Sequence, residues 1–264
     1  MYNLIRADLF KLRKSLALRI ILGITTFSAI IMLVMAYLIP QGKIDPSMFG
    51  IGFMFSDINM VSILGAVLAG VFISGDFDNK MIHDAIASGH SRLTVIISKT
   101  IVFFTAILII LLPYIIVTVI ALISGNDYDM GTIGVALLHM MTEDTSVLFS
   151  ASEIGKLVII IITLLVVYMA QLSICVPVSF VFKNPILVVA GYYVFTILVA
   201  QIAGLSSDTI IYKVAAFTPY GGHYAFLTLD TEIGRLIKAV CASLGFIILM
   251  IFITYRAFRR AEVK

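Results

Sequence analysis

Tryptophan is absent from these 264 residues, cysteine occurs only twice, and Asp, Glu, Lys and Arg together fill just 12% of the positions. The scarcity of charge excludes a water-soluble globule, because a soluble core needs a charged shell and here hydrophobic residues make up 61% of the chain. What charge there is falls into short clusters separated by long uncharged runs, the pattern of a membrane protein. Both cysteines, Cys175 and Cys241, lie inside apolar runs, which argues against a disulfide framework and leaves them reduced, packing as small hydrophobes. A net charge of +3 with dispersed basic residues, and no interleaving of aromatic with basic side chains, argues against a nucleic-acid footprint.

Catalytic signatures are missing as well. His83, His90, His139 and His223 are assigned to three different loops, and none stands in an HExxH or other metal-ligand spacing. There is no GxSxG elbow, no pair of glutamates inside an apolar run and no GxxxxGK[ST] phosphate loop. The chain is therefore expected to be no enzyme, to hold no cofactor or metal, and to bind no ATP itself. The N-terminus also lacks the layout of a cleavable signal: its basic cluster reaches Arg19 and the run that follows has full spanning length. That first run is expected to stay in the membrane.

Uncharged runs extend from Ile20 to Gly42, Ile58 to Gly75, Thr100 to Asn126, Leu157 to Phe182, Asn184 to Ser207 and Ala239 to Tyr255. Each is long enough, or nearly so, to cross a hydrocarbon core of roughly 30 Å as a helix. The second can borrow apolar length from Met48 to Phe55, and the charged tips of Lys238 and Arg256 can snorkel at the ends of the sixth. The expected fold is all-α and integral to the membrane, a single domain over 1–264 with six transmembrane helices and both termini on one side. Thirteen of the eighteen basic residues fall on the side of the termini, while the opposite loop from Gly125 to Glu153 is acidic. The positive-inside rule puts both termini in the cytoplasm.

Before the first span, Tyr2, Ile5, Leu9, Leu12 and Leu16 recur at spacings of three and four, with charges between them. Residues 1–16 read either as a helix lying in the cytoplasmic interface or as a basic anchor that only fixes topology. Between the fifth and sixth spans, Leu205 to Arg235 is too apolar for a free loop and too broken for a clean span, with Pro219 and Gly221-Gly222 in it. It reads as an external re-entrant hairpin, with a plain structured loop as the alternative. No run contains Asp, Glu, Lys, Arg or His; the polar exceptions are Gln171 and Gln201, which either face a pathway or hydrogen-bond between helices. Small residues spaced by four, Ala66 with Gly70 and Ala200 with Gly204, permit close helix approach or a dimer contact.

The most informative stretch lies between the second and third spans, at 75–92. Phe77, Met81, Ile82, Ala85 and Ile86 fall on one helical face, Asp78 or Asn79 can cap the helix start, and Gly89 suits its end. Ser91 can then cap a new helix running through Arg92 and Lys99 into the third span, so a short amphipathic helix over 76–90 is joined rigidly to the membrane domain.

An acidic residue and Phe directly after the second span, a short apolar-faced helix, then Gly-x-Ser-Arg and a Lys entering the third span resemble the ABC-2 family of ABC transporter permeases. The matching positions are Asp76, Phe77, Met81, Ile82, Gly89, Ser91, Arg92 and Lys99. The start Leu9-Phe10-Lys11-Leu12-Arg13-Lys14-Ser15 is similar to the family's interface helix, 205–235 to its re-entrant hairpin, and Phe258-Arg259-Arg260 to its basic tail. The resemblance implies that 76–90, with Ala85 and Ile86, is a coupling helix docking into a separate ATPase. It also implies two cytoplasmic ATPase subunits that bind ATP and Mg, a second permease copy or a similar permease, and a bacterial plasma membrane. Two departures stand out: Asp76 replaces the usual Glu, shortening its reach, and the loop over 125–153 exceeds what a minimal member needs. That loop either shapes a cargo exit or partner contact or is a tolerated insertion.

The expected function is thus ATP-driven export of an amphipathic or hydrophobic cargo, such as an antimicrobial or cytolytic peptide. A small drug or a lipid-linked glycan is the alternative cargo, the absence of Trp weighing against sugar stacking. An ATP-independent transporter or channel and an intramembrane enzyme are the competing classes.

Overall fold

A computed structural model describes residues 1–44, 49–124, 126–130, 134–143, 151–203, 209, 214–215, 217–221, 224 and 226–260. Gly204, His223, the tail 261–264 and much of the expected hairpin and external loop lie outside the described residues. The described chain is all-helical, with no strand.

The elements are α1 (Tyr2–Lys14), α2 (Leu16–Leu38), α3 (Phe49–Phe55), α4 (Asp57–Ala69), a π-helical turn (Gly70–Ser74), α5 (Gly75–Asp78), α6 (Met81–Ala87), α7 (Arg92–Ser124), α8 (Met140–Glu143), α9 (Ala151–Leu172), α10 (Cys175–Phe182), α11 (Pro185–Ala203) and α12 (Ile233–Arg260). Several run on into one another as rods. Five segments are long and apolar enough to cross a membrane: Leu16–Leu38, Asp57–Asp78, Arg92–Ser124, Glu153–Phe182 and Ile233–Arg259. The expected fifth span is represented by α11, whose apolar stretch Pro185–Val199 is shorter. The fold is that of an integral membrane protein, with five clear crossing helices and a sixth, shorter apolar one.

Its outside supports the same conclusion. Phe27, Ile30 and Val34 on α2 and Ile237, Ile248 and Phe252 on α12 are exposed along outward faces, an arrangement that water would penalise and hydrocarbon accepts. Between helices in lipid the hydrophobic effect supplies little, so contact depends on close packing. α7 is the central strut, packing on α1, α2, α4, α9 and α12. The rod containing α4 meets its neighbours through glycines: a Cβ at Gly65 would lie 2.6 Å from a Leu172 methyl, and one at Gly70 would lie 3.0 Å from the Pro185 backbone. Of the small pairs, Ala66 and Gly70 therefore serve packing within the chain, with Ala66 buried.

The N-terminal helix is separate from the first span. Ser15 takes an extended conformation between them and its hydroxyl accepts from Leu18 N at 3.5 Å. Of the expected apolar stripe, Leu12 is buried and Ile5 and Leu9 pack on the core, whereas Tyr2 and Leu16 are exposed. The stripe splits because α1 lies against α7 along one flank and leaves the other outward.

The described parts of the loop over 125–153 are packed. Tyr128, Met130, Leu137, Leu138, Met140 and Met141 are buried in the core, and Asp129 N donates to Ala36 O at 3.0 Å. In its described parts it folds down onto the bundle.

The glycine contacts give a direct test. Gly70→Ala should cost on the order of 1–3 kcal/mol, because the added methyl meets backbone that cannot rotate away. Gly245→Ala, where a Cβ meets nothing within 4 Å, should leave the melting midpoint of the detergent-solubilised protein unchanged or slightly raised.

Candidate functional site

Four charged side chains from three parts of the chain converge at the end of the bundle that carries α1. Lys99, in the second turn of α7, donates to Asp8 Oδ1 at 2.7 Å and to Asp76 Oδ2 at 2.5 Å. Lys11 donates to the other Asp76 oxygen and lies 3.2 Å from Met81 Sδ. Ser98 Oγ adds a contact to Asp8 at 3.5 Å. The cluster is neutral as a whole, two ammonium groups against two carboxylates. Neutrality is what makes its burial tolerable, since each isolated ion would carry a penalty of several kcal/mol.

Local structure brings each member there. Asp8 shares the inner face of α1 with Ile5 and Leu12, one turn away on either side. Asp76 follows the π-helical turn at Gly70–Ser74, which shifts the helical register of the residues after it. Lys99 follows the cap: Ser91 Oγ accepts from Thr94 N at 3.2 Å, so the expected cap of α7 is present.

Phe77 lies inside the chain's own bundle. Its ring packs edge-on against Phe180 at 5.3 Å, Phe258 at 6.1 Å and His83 at 6.4 Å, with Lys183 Nζ over its face at 5.4 Å. Arg92 donates to Phe258 O at 2.6 Å and Arg259 O at 2.9 Å, two carbonyls in the last described turn of α12. The basic tail is thereby tied to the start of α7.

The helix α6 ends as expected. Gly89, at φ +89°, donates to Ile86 O and His90 N donates to Ala85 O, a Schellman closure. Its start differs: Lys80, in the left-handed region, occupies the cap position, and Asn79 Nδ2 instead donates to Gly75 O at 2.8 Å. The apolar face also differs from the expectation of a face turned wholly to a partner. Ile82 is fully buried and Ala85 and Ile86 are half-buried against the core, because α6 folds back onto α5 and α7. What α6 and its flanks present outward is Asp78, Lys80, Met81, Asp84, Ala87 and Ser88, with Gly89 and Ser91 beyond.

The two intramembrane glutamines part company. Gln171 Nε2 donates to Pro219 O at 3.0 Å, and Tyr220 donates to the Gln171 carbonyl. Tyr220 also packs on Phe195 at 5.2 Å and Phe246 at 6.0 Å. Gln171 is thus a link to the 217–221 segment, whereas Gln201 is exposed on α11.

A second buried polar site lies at the opposite end of the bundle. Asp57, with no exposed surface, accepts from Tyr168 Oη at 2.6 Å and from Leu137 N at 2.9 Å through Oδ2, while Oδ1 has no hydrogen-bond partner among the described residues. Tyr114 Oη donates to Ser28 Oγ at 2.8 Å nearby. The sequence reading passed over Asp57 because it stands one position outside an uncharged run. It passed over Asp8 and Lys11 as ordinary charges of a basic helix, although a lone carboxylate in line with Ile5 and Leu12 was the available signal. Among the described residues no three His, Cys, Asp or Glu side chains converge as metal ligands would.

Comparison with protein-family models, characterised proteins and solved structures found no match to this chain.

The cluster makes an ordered prediction. Lys99→Met, which strands two buried carboxylates, should cost about 3–5 kcal/mol, and Lys11→Met less, since that side chain is 35% exposed and Lys99 only 6%. Melting midpoints of the two variants, and of Lys99→Met combined with Asp8→Asn, which should recover part of the loss, check the order.

Proposed function

We propose that this chain is the transmembrane subunit of an ATP-driven exporter of the ABC-2 permease type, working with two separate cytoplasmic ATPase subunits and a second copy of itself or a similar permease. In this reading it sits in a bacterial plasma membrane with both termini in the cytoplasm, α11 is the fifth of six crossings, and 205–235 is re-entrant. ATP and Mg belong to the partner ATPase. The cargo is an amphipathic or hydrophobic molecule, peptide before drug or lipid-linked glycan.

One observation carries the proposal: α6 stands at the edge of the bundle with Lys80, Met81 and Asp84 outward, while it packs on α5 and α7 and α5, directly before it, is fixed to several surrounding elements. Lys11 and Lys99 bind Asp76 of α5 to α1 and α7; Phe77 of α5 packs on α10, α12 and His83 of α6; Arg92 closes the connection onto the end of α12. A displacement applied to α6 therefore reaches α1, α7 and α12 together, which is what a transmission element requires. The contacts of Tyr220 with Gln171 and Phe246 hold the 217–221 segment against helix interiors, which supports the reading of this region as more than a free loop.

Purification of the tagged protein from its native membrane in mild detergent tests this reading. An ATPase with Walker motifs should co-purify at one to one, and Met81→Ala with Asp84→Lys should release it without altering the melting midpoint. Ile82→Ala should instead destabilise the permease itself by about 2–5 kcal/mol, because the side chain is in the core. A permease that remains alone under conditions preserving such complexes overturns the proposal.

Asp57 favours a second reading. A buried carboxyl within a crossing helix suits an ATP-independent, ion-coupled transporter. Asp57→Asn separates the two: export should persist in the ATP-driven case, with reduced stability, and should lose its dependence on the proton or sodium gradient in the other.

A further inference from the structure

A cavity of about 280 Å³ opens between α9 and α12 at the bundle end opposite the charged cluster, with Lys156 at its mouth and Ile160, Thr163, Ile237, Val240 and Cys241 along its walls. Both helices start at this end and run inward side by side. From Lys156 to Thr163 the wall descends seven residues, roughly 10 Å at helical rise.

The slot is apolar even where its wall residues are not. Thr163 Oγ1 donates to Ile159 O at 2.8 Å within its own helix, and Thr231 Oγ1 accepts from Thr228 N at 2.9 Å. Both wall hydroxyls are engaged with backbone groups of their own segments. The volume lies just below the usual range of about 300–1,000 Å³ for folded, drug-sized ligands, which suits a single extended alkyl chain.

The mouth has the opposite character. Lys156 is exposed and has no ion-pair partner among the described residues, while Glu153, one turn earlier, is engaged elsewhere. An ammonium at the head of a 10 Å apolar slot, at the depth where a spanning helix leaves the hydrocarbon, complements an anionic amphiphile.

We infer that this groove is a binding site for a membrane phospholipid with an anionic headgroup, one acyl chain lying between α9 and α12 and the head phosphate on Lys156. The site is independent of what the chain transports and of how it is powered.

The protein carries its own reporter. Cys241 is exposed and lines the slot, whereas Cys175 is buried, so a small maleimide should react at Cys241 alone. Delipidated protein in a neutral detergent is titrated with phosphatidylglycerol or phosphatidylcholine of identical chains, following retained lipid by native mass spectrometry and the labelling rate at Cys241. Phosphatidylglycerol should be retained at one per chain with about fivefold preference, the ratio one lysine near an anionic headgroup supports, and should slow labelling. Lys156→Gln should bring the preference close to one while leaving the melting midpoint unchanged. Equal retention and equal protection by the two lipids overturns the inference. So does retention of phosphatidylglycerol without protection of Cys241, which places the lipid elsewhere, or a preference that survives Lys156→Gln.

Discussion

Two carboxylates and one ammonium group held out of water at one end of a helical bundle, with a second ammonium group partly exposed beside them, impose more on this structure than any other set of contacts. Asp8, Lys11, Asp76 and Lys99 come from the N-terminal helix, the end of the second crossing rod and the start of α7. Each is costly alone and tolerable only with the others, so α1 cannot leave α7, and the second rod cannot rotate, without exposing an unpaired buried charge. Ion pairing here is less a source of net stability than a constraint on geometry. Its energy is lost steeply if one partner is displaced, which makes the elements move together.

The aromatic contacts extend that constraint across the bundle. Phe77, Phe180 and Phe258 form a mutually edge-on group, with Phe180 and Phe258 5.0 Å apart, and Arg92 lies over the Phe258 ring at 5.3 Å while holding the end of α12. Away from this end the helices depend on shape. Gly65 and Gly70 admit Leu172 and Pro185 at distances a side chain would forbid, the packing expected where lipid competes equally well for every apolar surface. At the far end Asp57, Tyr168 and the backbone of Leu137 pin the loop after α7 to the helices.

Much of this was legible in the chain. The uncharged runs predict the crossing helices because hydrocarbon tolerates little else, and Ser91 and Gly89 mark the limits of α7 and α6 because a cap and a left-handed residue act within a few positions. What failed was the assignment of faces. A helix of seven residues such as α6 has an apolar side by periodicity, but periodicity is silent on whether that side meets a partner or the chain's own core. Ile82 and Phe77 went inward; Met81 stayed out.

The sequence by itself determined that this protein is helical, lives in a bilayer and begins with a basic amphipathic helix, since each follows from local composition set against the energetics of lipid and water. Only the tertiary structure decided which charges pair and which loops are buried. Asp8 finds Lys99 across 91 positions, and Asp57 finds Tyr168 across 111. No local rule relates residues that far apart; their meeting depends on how whole helices pack, and packing in lipid is settled by close shape and by the need to neutralise every buried charge.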